Sequence, residues 1–520
     1  MLAKEIKVEQ NINFPKRLLE LAKVQGEKEA LVWLQGVLTY AELAKAMDFL
    51  ATGLQNLGLK KGDRVALQLL NAPEFVISFY AILRFGGVVV PLNPLYTARE
   101  LEIIMADSGA KALITATPHL GAIEGIRASL PEFRHLILTD GERQPDRILL
   151  TDLYSDGILV FPEPDENELA ELIFTSGTTG RPKGAMLSHK NLYSNACLVR
   201  DEMQISQEER TLLVAPLFHI AAQTAFLNST LIQGGTCYLL ERWTKDDTVL
   251  QTIQNQKITY FFGVPAMYQF MLASPSFDNY DLSSLRKPFS GGAPLPVETF
   301  NNWREKTGVE IVEGYGLSET SPACTRNPYL GTKKPGSIGK AYPGLEVKIF
   351  DDQDCELPPG QVGEIVVRGS NVMMGYWNNP DATAEAMRNQ WFHTGDMAYA
   401  DDEGYIFIVD RKKDVIIRGG TNIYPREVEE VIYRFPGILE AAVIGIPDQA
   451  MGEEMLAFIA LKNGVKINLE ELREFCKQEL IYYKVPKHFV ILEQLPRNAS
   501  GKILKTKLRE IKTMDQSGPN

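Results

Sequence analysis

Hydrophobic and polar positions alternate along residues 64–115 in a way that is typical of a parallel sheet covered by helices. The segments "RVALQLL" (64–70), "GVVVPL" (87–92) and "KALIT" (111–115) are short apolar runs bounded by turn residues, which predicts strands. The intervening segments "PEFVISFYAILRF" (73–85) and "TARELEIIMADSG" (97–109) have helical periodicity. The order β-α-β-α-β predicts an α/β fold with a parallel sheet.

The same alternation of strand and helix patterns returns later in the chain, and two different sequence patterns follow it. Residues 211–308 again predict strands and helices in turn, which indicates a second helix-covered sheet. After about residue 331 the chain is rich in Gly, Pro and short alternating runs, which predicts antiparallel strands and a small β-barrel-like region. Beyond "DRKKDVIIRGG" (410–420), helix and strand patterns suffice for a small, mobile α+β domain. We therefore predict an N-terminal domain over 1–410 and a C-terminal domain over 411–520.

Composition limits the classes of function. A chain of 520 residues is long enough for more than one domain, and a net charge of −12 argues against a general nucleic-acid binder. The five Cys form no CxxC pair, and the six His lack the spacing of metal ligands. Residues 1–20 show no signal-peptide pattern, and the most apolar window, 75–92, is interrupted by Arg84 and two glycines. We expect a soluble cytoplasmic protein, monomer or homodimer, that binds no nucleic acid; peripheral membrane contact stays open.

The loop "IFTSGTTGRPKG" (173–184) carries the first sign of chemistry. An apolar strand runs into three glycines, four hydroxyl side chains, an Arg and a Lys. Glycines let backbone N–H groups approach a ligand, and hydroxyl and ammonium groups donate to phosphate. The spacing is not that of a Walker A loop, because Pro182 follows Gly177 by five residues and Gly184 follows Lys183. On composition alone, a phosphate cradle and a flexible surface turn are both open.

Six further blocks follow this loop: "PLFHI" (216–220), "SGGAPLP" (290–296), "EGYGLSET" (313–320), "WFHTGD" (391–396), "DRKKDVIIRGG" (410–420) and "RNASGKILK" (497–505). In this order and spacing, the set resembles the acyl-adenylate-forming superfamily, and within it the bacterial medium- and long-chain fatty acid CoA ligases. The resemblance covers residues 30–508. It implies that ATP, with Mg²⁺, converts a carboxylic acid to acyl-AMP, and that CoA then displaces AMP. This first step concentrates negative charge, so it needs fixed cations and N–H donors.

The resemblance also implies a role for individual residues. Lys502, Thr320 and Glu319 would be catalytic, with Lys502 contacting the substrate carboxylate and the α-phosphate, Thr320 donating to that phosphate, and Glu319 and Thr175 binding Mg²⁺. Lys413 would be the hinge. The ATP and AMP contacts would be Thr175, Ser176, Gly177, Thr178, Thr179, Gly180, Lys183, Gly292, Ala293, Pro294, Glu313, Gly314, Tyr315, Gly316, Thr320, Asp396, Arg411 and Lys502. The acid would lie against His219, Gly291, Gly316 and Leu317, and the CoA tunnel would pass Gly419 and Gly420.

Each of these residues also has an ordinary structural explanation when it is taken alone. Asp396 after Gly could form a turn, His219 could be a core residue, and Lys502 could belong to a solvated basic tail. At the level of function, an aryl or other carboxylic acid CoA ligase and an acyl-AMP ligase that loads a carrier protein stay open. A P-loop kinase or ATPase is disfavoured by the loop spacing, and a non-catalytic relative by the presence of Glu319, Asp396, Arg411 and Lys502 together.

Overall fold

The structure is a computed structural model, and it describes residues 13–156, 161, 163–175, 182–244, 247–497 and 501–515. Five residues predicted to bind phosphate, Ser176, Gly177, Thr178, Thr179 and Gly180, lie outside the described residues.

The strands form four sheets. The two large sheets are built from β1 (Glu29–Trp33), β2 (Gly36–Thr39), β3 (Arg64–Gln68), β4 (Val88–Pro91), β5 (Ala112–Thr115), β6 (His135–Leu138), β7 (Ile148–Leu149), β8 (Leu169–Thr175), β9 (Lys183–Ser188), β10 (Arg210–Leu213), β11 (Thr236–Leu239), β12 (Tyr260–Gly263), β13 (Lys287–Ser290), β14 (Val312–Gly316), β15 (Ala323–Arg326) and β16 (Lys340–Ala341). A third sheet contains β17 (Glu346–Phe350), β18 (Gly363–Arg368), β19 (Met387–Arg388), β20 (Trp391–Ala400) and β21 (Ile406–Arg411). The fourth contains β22 (Ile416–Arg418), β23 (Thr421–Ile423), β24 (Ile438–Asp448), β25 (Gly452–Leu461) and β26 (His488–Ile491).

The α-helices lie between and around these strands. They are α1 (Phe14–Gln25), α2 (Tyr40–Asn56), α3 (Pro73–Arg84), α4 (Ala98–Ser108), α5 (Leu120–Glu124), α6 (His189–Glu202), α7 (Ser229–Leu231), α8 (Thr248–Asn255), α9 (Pro265–Leu272), α10 (Val297–Thr307), α11 (Pro380–Ala386), α12 (Pro425–Tyr433), α13 (Leu469–Glu479) and α14 (Lys505–Asp515). A π-helix spans Ala221–Asn228.

The seven-stranded sheet, in the order β7-β6-β5-β3-β4-β8-β9, is parallel except for β9. Helix α4 begins and ends where the sequence places caps: Thr97 and Glu100 form a capping box, and Gly109 ends the helix with φ +58°. The predicted pattern over residues 64–115 is therefore confirmed. Because both faces of the sheet are covered, its strands are mostly apolar, although Gln68 and Glu171 are also buried in them.

The nine-stranded sheet has the order β16-β15-β14-β13-β12-β10-β11-β1-β2, with a parallel centre and antiparallel strands at both edges. One continuous apolar cluster fills the space between the two large sheets and includes residues of α2, α3, α6 and the π-helix. Burying side chains such as Phe75 and Phe226 stabilises the fold by about 1.5–3 kcal/mol each. This core fixes the edges of both sheets relative to each other.

The antiparallel region predicted after residue 331 forms the five-stranded sheet β17–β21. The separate C-terminal domain is built on β24 and β25, which form a long hairpin, with β26 added parallel to β25. Apolar clusters cover both faces of this sheet, one including Leu472 of α13 and the other Leu508 of α14. Within the described ranges, no helix has both the length and the apolar character needed to cross a bilayer.

Candidate active site

Predicted site residues collect at the carboxyl ends of parallel strands. Thr175 ends β8, Gly291 follows β13, and Gly316 ends β14. In α/β folds, the carboxyl ends of parallel strands lie at one edge, where ligands bind. Asp396 on β20 and Lys502 of the C-terminal domain reach the same region, since the charge of Asp396 acts on Lys502. The structure thus brings together residues that are more than 300 positions apart in the chain.

Glu319 and Thr175 form the first part of the site. The Thr175 hydroxyl donates to Glu319 Oε1 over 3.4 Å, and the Tyr376 hydroxyl donates to the same oxygen over 2.9 Å. The Lys183 ammonium lies over the Tyr376 ring, 5.2 Å from its centroid. Glu319 is only 8% exposed. A carboxylate and a hydroxyl oxygen at this separation suit a hard cation that takes its other ligands from phosphate and water.

Thr320 differs from the predicted geometry. Its side chain is fully buried, and its hydroxyl hydrogen-bonds within its own turn, to Leu317 O over 3.0 Å and Pro322 O over 2.7 Å. The Thr320 hydroxyl oxygen also accepts a hydrogen bond from Leu317 N at 3.0 Å. In this conformation Thr320 shapes the turn that carries Glu319, and a hydrogen bond to a phosphate would require the hydroxyl to exchange one of these partners.

Asp396 is the centre of the second part of the site. Its Oδ2 accepts from the Tyr315 hydroxyl at 2.7 Å, and its Oδ1 pairs with Arg411 Nε at 3.2 Å. Residues 396 and 411 are direct partners on the neighbouring strands β20 and β21, so the sheet register fixes the pair. Burial, and next the charge of Asp396, raise the pKa of Tyr315 well above its usual value. Tyr315 is therefore a neutral donor to the Asp396 side chain.

Three predicted glycines are needed for packing. A Cβ on Gly316 would lie 1.7 Å from Pro322 O, and one on Gly314 would lie 2.5 Å from the Phe289 ring. A Cβ on Gly291 would lie 3.0 Å from Gly314 O. These close approaches explain the three glycines without a ligand. Strand ends without side chains also let a ligand lie directly against the backbone.

The segment Gly292–Pro294 lies beside Glu313. Gly292 has φ +78° and is exposed, as is Pro294, while Ala293 is partly exposed. Glu313 is buried and accepts from Leu295 N at 3.2 Å. Burial raises its pKa to about 7, against the lowering effect of Arg426. The backbone of this segment is thus accessible. The partly protonated Glu313 carboxyl holds the segment through its hydrogen bond with Leu295 N.

His219 precedes the π-helix and forms part of the same region. Its Nδ1 accepts from Ala221 N at 3.3 Å, and its carbonyl accepts from Gln223 N at 3.2 Å. Burial, and next the charge of Lys502, lower the pKa of His219 to about 4. The imidazole is therefore neutral at physiological pH. Leu317, also predicted to lie against the acid, is partly exposed and packs on the main apolar cluster.

Lys502 enters the site on a loop of the C-terminal domain. A Cβ on its neighbour Gly501 would lie 2.9 Å from Val264 Cγ2, so this loop lies directly against the N-terminal domain. Burial, and next the charge of Arg411, lower the pKa of Lys502 to about 8. Three residues later, the Lys505 ammonium pairs with Glu429 Oε1 at 3.0 Å and with Asp410 Oδ2 at 3.5 Å. Because Asp410 precedes the predicted hinge, the Lys505–Asp410 pair joins the two domains beside Lys502.

The predicted hinge and tunnel residues are exposed, and the charge of Lys413 acts on Lys502. Lys413 is exposed in a 3₁₀ turn, Lys412–Asp414, that links β21 to β22. Gly419 and Gly420 form the turn between β22 and β23, with φ of +57° and +81°, and both are exposed. In this structure the two glycines are on the surface of the C-terminal domain, and a role in a tunnel requires that domain to turn.

Sequence reasoning missed Tyr376. Its hydroxyl holds Glu319, its ring lies beneath Lys183, and burial raises its pKa far above the usual range. The only sequence signal is an aromatic after Gly375 in "MMGYW", which is too common to single out. The contact depends on an isolated bridge between Tyr376 and Ala185 that joins two distant segments.

Comparison with known proteins identifies the family. The family model described as AMP-binding enzyme matches residues 18–377, and the one described as AMP-binding enzyme C-terminal domain matches residues 427–502. The chain belongs to the AMP-binding enzyme family. Among similar family members, a long-chain-fatty-acid–CoA ligase of Bacillus subtilis (strain 168) is 39% identical, with 94% of this chain and 92% of the relative covered.

Other family members act on aromatic acids. A feruloyl-CoA synthase of Amycolatopsis sp is 40% identical, with 91% of this chain and 93% of the relative covered. The crystal structure of the anthranilate CoA ligase AuaEII in complex with anthranoyl-AMP superposes with a TM-score of 0.94 at 30% identity, covering 100% of both chains. This member of the family is therefore an AMP-forming acyl- or aryl-CoA ligase that uses ATP and CoA with Mg²⁺.

Proposed function

We propose that this ligase activates a medium- or long-chain fatty acid to acyl-AMP, releases pyrophosphate, and transfers the acyl group to CoA. The observation that carries the mechanism is the convergence of Lys502, the Asp396–Arg411 pair and the Glu319–Thr175 pair on one region. The proposal of a fatty acid is supported by relatives named long-chain-fatty-acid–CoA ligase, which this chain matches over more than nine-tenths of its length.

In the first step the β- and γ-phosphates of ATP would lie against the loop after β8. Thr175 and Lys183 flank that loop, and the Lys183 ammonium is held over Tyr376, where it would meet phosphate oxygens. Glu319 and Thr175 would hold Mg²⁺, which would neutralise phosphate charge when bound. Asp396 would accept both ribose hydroxyls, with Arg411 and Tyr315 fixing the carboxylate.

Lys502 would lie between the substrate carboxylate and the α-phosphate. Its burial strengthens the attraction that an ammonium exerts on both anions, and it offsets their mutual repulsion as they approach. His219 would line the carboxylate end of the acid site as a neutral ring. The acyl–oxygen–phosphorus bond forms as the bond to pyrophosphate breaks, so no proton transfer is needed in this step.

In the second step a thiol must reach the carbonyl carbon that Lys502 covers. We propose that the C-terminal domain turns about Lys413, which removes Lys502 and brings Gly419 and Gly420 to the opening for pantetheine. The exposure of both glycines and their positive φ values support this proposal, since a surface turn without side chains leaves room for a narrow ligand. The thiol sulfur then bonds to the carbonyl carbon, the bond from that carbon to the AMP oxygen breaks, and the thiol proton passes to solvent as AMP leaves.

An aryl acid is the second candidate substrate, and one observation favours it. Phe226 of the π-helix stacks on Phe262 with centroids 4.4 Å apart, and Phe289 meets Phe226 edge-on at 5.4 Å. This cluster lies behind Gly291, because Phe289 contacts the position of a Cβ on that residue. The three rings are buried, so an aryl acid would meet this cluster only at its edge beside Gly291, where contact between aromatic rings would favour a flat acid. Transfer to a carrier protein, a cytoplasmic location and a monomeric or dimeric state stay predictions.

A panel of acids tests the proposed substrate class. Acetate, octanoate, palmitate, benzoate and coumarate are each supplied with ATP, Mg²⁺ and CoA, and AMP release is measured. The proposal expects the largest kcat/KM for octanoate or palmitate. A larger value for coumarate or benzoate would establish the aryl acid as the substrate and overturn the fatty acid.

The pH dependence of adenylation reports the charge of Lys502. Because the ammonium form is required and its pKa is lowered to about 8, we expect kcat/KM for pyrophosphate exchange to fall as pH rises through about 8. Bound ATP favours the ammonium form, so the fall in kcat should lie at higher pH. Lys502→Arg, which stays protonated, should keep part of the activity and lose this alkaline fall. If Lys502→Arg loses activity over the same alkaline range as the wild type, the loss is caused by the titration of another group.

A further inference from the structure

Helix α12 of the C-terminal domain lies against the N-terminal domain through two charged side chains. Arg426 is only 7% exposed. Its Nη1 donates to Ile408 O over 3.0 Å and its Nη2 to Gly336 O over 3.2 Å. Both carbonyls precede the predicted hinge, so a single guanidinium joins the C-terminal domain to two segments of the N-terminal domain.

Glu430 lies one turn further along the same helix. Its Oε2 accepts from Val297 N at 3.3 Å, and its Oε1 lies 3.8 Å from Arg426 Nε. Val297 is the first residue of α10, where backbone N–H groups have no partner within the helix. A carboxylate at that end also meets the favourable field of the helix. Glu430 thus joins the C-terminal domain to a third segment of the N-terminal domain.

The interface is not closely packed beside these two residues. A cavity of about 880 Å³ lies between the domains, with Tyr399, Phe407 and Tyr424 among its lining residues. Arg426 and Glu430 line the same cavity. Apolar packing is interrupted at this cavity. The orientation of the two domains therefore depends there mainly on directional hydrogen bonds.

We propose that Arg426 and Glu430 are positioning residues for adenylation, because they hold the C-terminal domain in the orientation that keeps Lys502 in the site. This inference rests on the proposed function. The hydrogen bonds of the two side chains go to the backbone of the N-terminal domain, away from the acid and phosphate contacts proposed for Lys502. All three hydrogen bonds must break when the C-terminal domain turns for the second step, so their strength sets the balance between the two orientations.

The test measures the two half-reactions separately. Arg426→Ala removes two charge-assisted hydrogen bonds, so we expect pyrophosphate exchange to fall about 10- to 100-fold. Thiolysis of supplied acyl-AMP by CoA should stay within about twofold of wild type or rise, because the second orientation no longer competes with a stabilised first one. Glu430→Gln, which can still accept from Val297 N, should stay close to wild type, whereas Glu430→Ala should follow Arg426→Ala.

Controls separate this role from a merely structural one. Lys477→Ala changes an exposed lysine of the C-terminal domain that pairs with Glu474 on its own helix, α13, at 2.7 Å, so both half-reactions should be unchanged. Equal losses in both half-reactions of Arg426→Ala, in a variant that keeps its thermal midpoint, would overturn the proposal, as would unchanged pyrophosphate exchange. Absence of pyrophosphate exchange in the wild-type enzyme would instead overturn the proposed function.

Discussion

Replacing Lys502 with alanine is expected to lower the rate of acyl-AMP formation by about 10²- to 10³-fold while sparing the second half-reaction. The Lys502 ammonium is the cation that would meet both the substrate carboxylate and the α-phosphate, and removing one such preorganised donor has effects of this size. Thiolysis of supplied acyl-AMP should proceed near the wild-type rate, because the proposed turn of the C-terminal domain takes Lys502 out of the site before this step. Pyrophosphate exchange and single-turnover thiolysis measure the two steps.

The matched control is Lys507→Ala. This lysine lies five residues further along, is exposed, and pairs with Glu510 on its own helix at 2.9 Å. Both half-reactions should keep wild-type rates in that variant. Normal adenylation by Lys502→Ala would show that the lysine is not catalytic, and a parallel loss of thiolysis would show that it is needed in both steps.

Replacing Lys413 with proline is expected to slow thiolysis at least about tenfold more than adenylation, a difference of ~1.4 kcal/mol between the two barriers. Proline fixes φ near −65°, which a 3₁₀ turn accommodates, so the orientation described here should persist. A hinge residue must instead adopt new backbone angles, and proline removes that freedom. The same two assays provide the measurement.

Lys413→Ala is the control for the lost charge. It leaves the backbone free, so it should keep both rates within about threefold of wild type if Lys413 acts through its backbone. A similar loss of both half-reactions in Lys413→Pro, with the alanine variant active, would place the pivot elsewhere in the chain.

Much of the fold could be predicted because local patterns determine it. The strands and helices from β3 to β5 follow from apolar periodicity and from caps such as Thr97 and Gly109. The π-helix Ala221–Asn228 could not be predicted, since its sequence has no feature that separates it from an α-helix. The edge order of the nine-stranded sheet also depends on pairings between distant segments, which a local pattern does not contain.

The site was predictable only as a set of motifs. Spacing and resemblance singled out Asp396 and Arg411, and the structure pairs them across neighbouring strands. Resemblance did not predict that the Thr320 hydroxyl hydrogen-bonds within its own turn, or that Tyr376 holds Glu319. Arg426 was also missed, because its carbonyl partners come from two segments that carry no motif. Every residue type has a backbone carbonyl, so the sequence does not reveal which residues will accept such a hydrogen bond.

The central claim is that the carboxylate attacks the α-phosphorus of ATP and that AMP later leaves with one of its oxygens. Octanoate labelled with ¹⁸O in both carboxylate positions, incubated with ATP, Mg²⁺ and CoA, tests this claim directly by mass spectrometry of the nucleotide product. We predict AMP that carries one ¹⁸O atom, formed in equal amount with octanoyl-CoA and pyrophosphate. Unlabelled AMP, or ADP with labelled inorganic phosphate, would contradict the account.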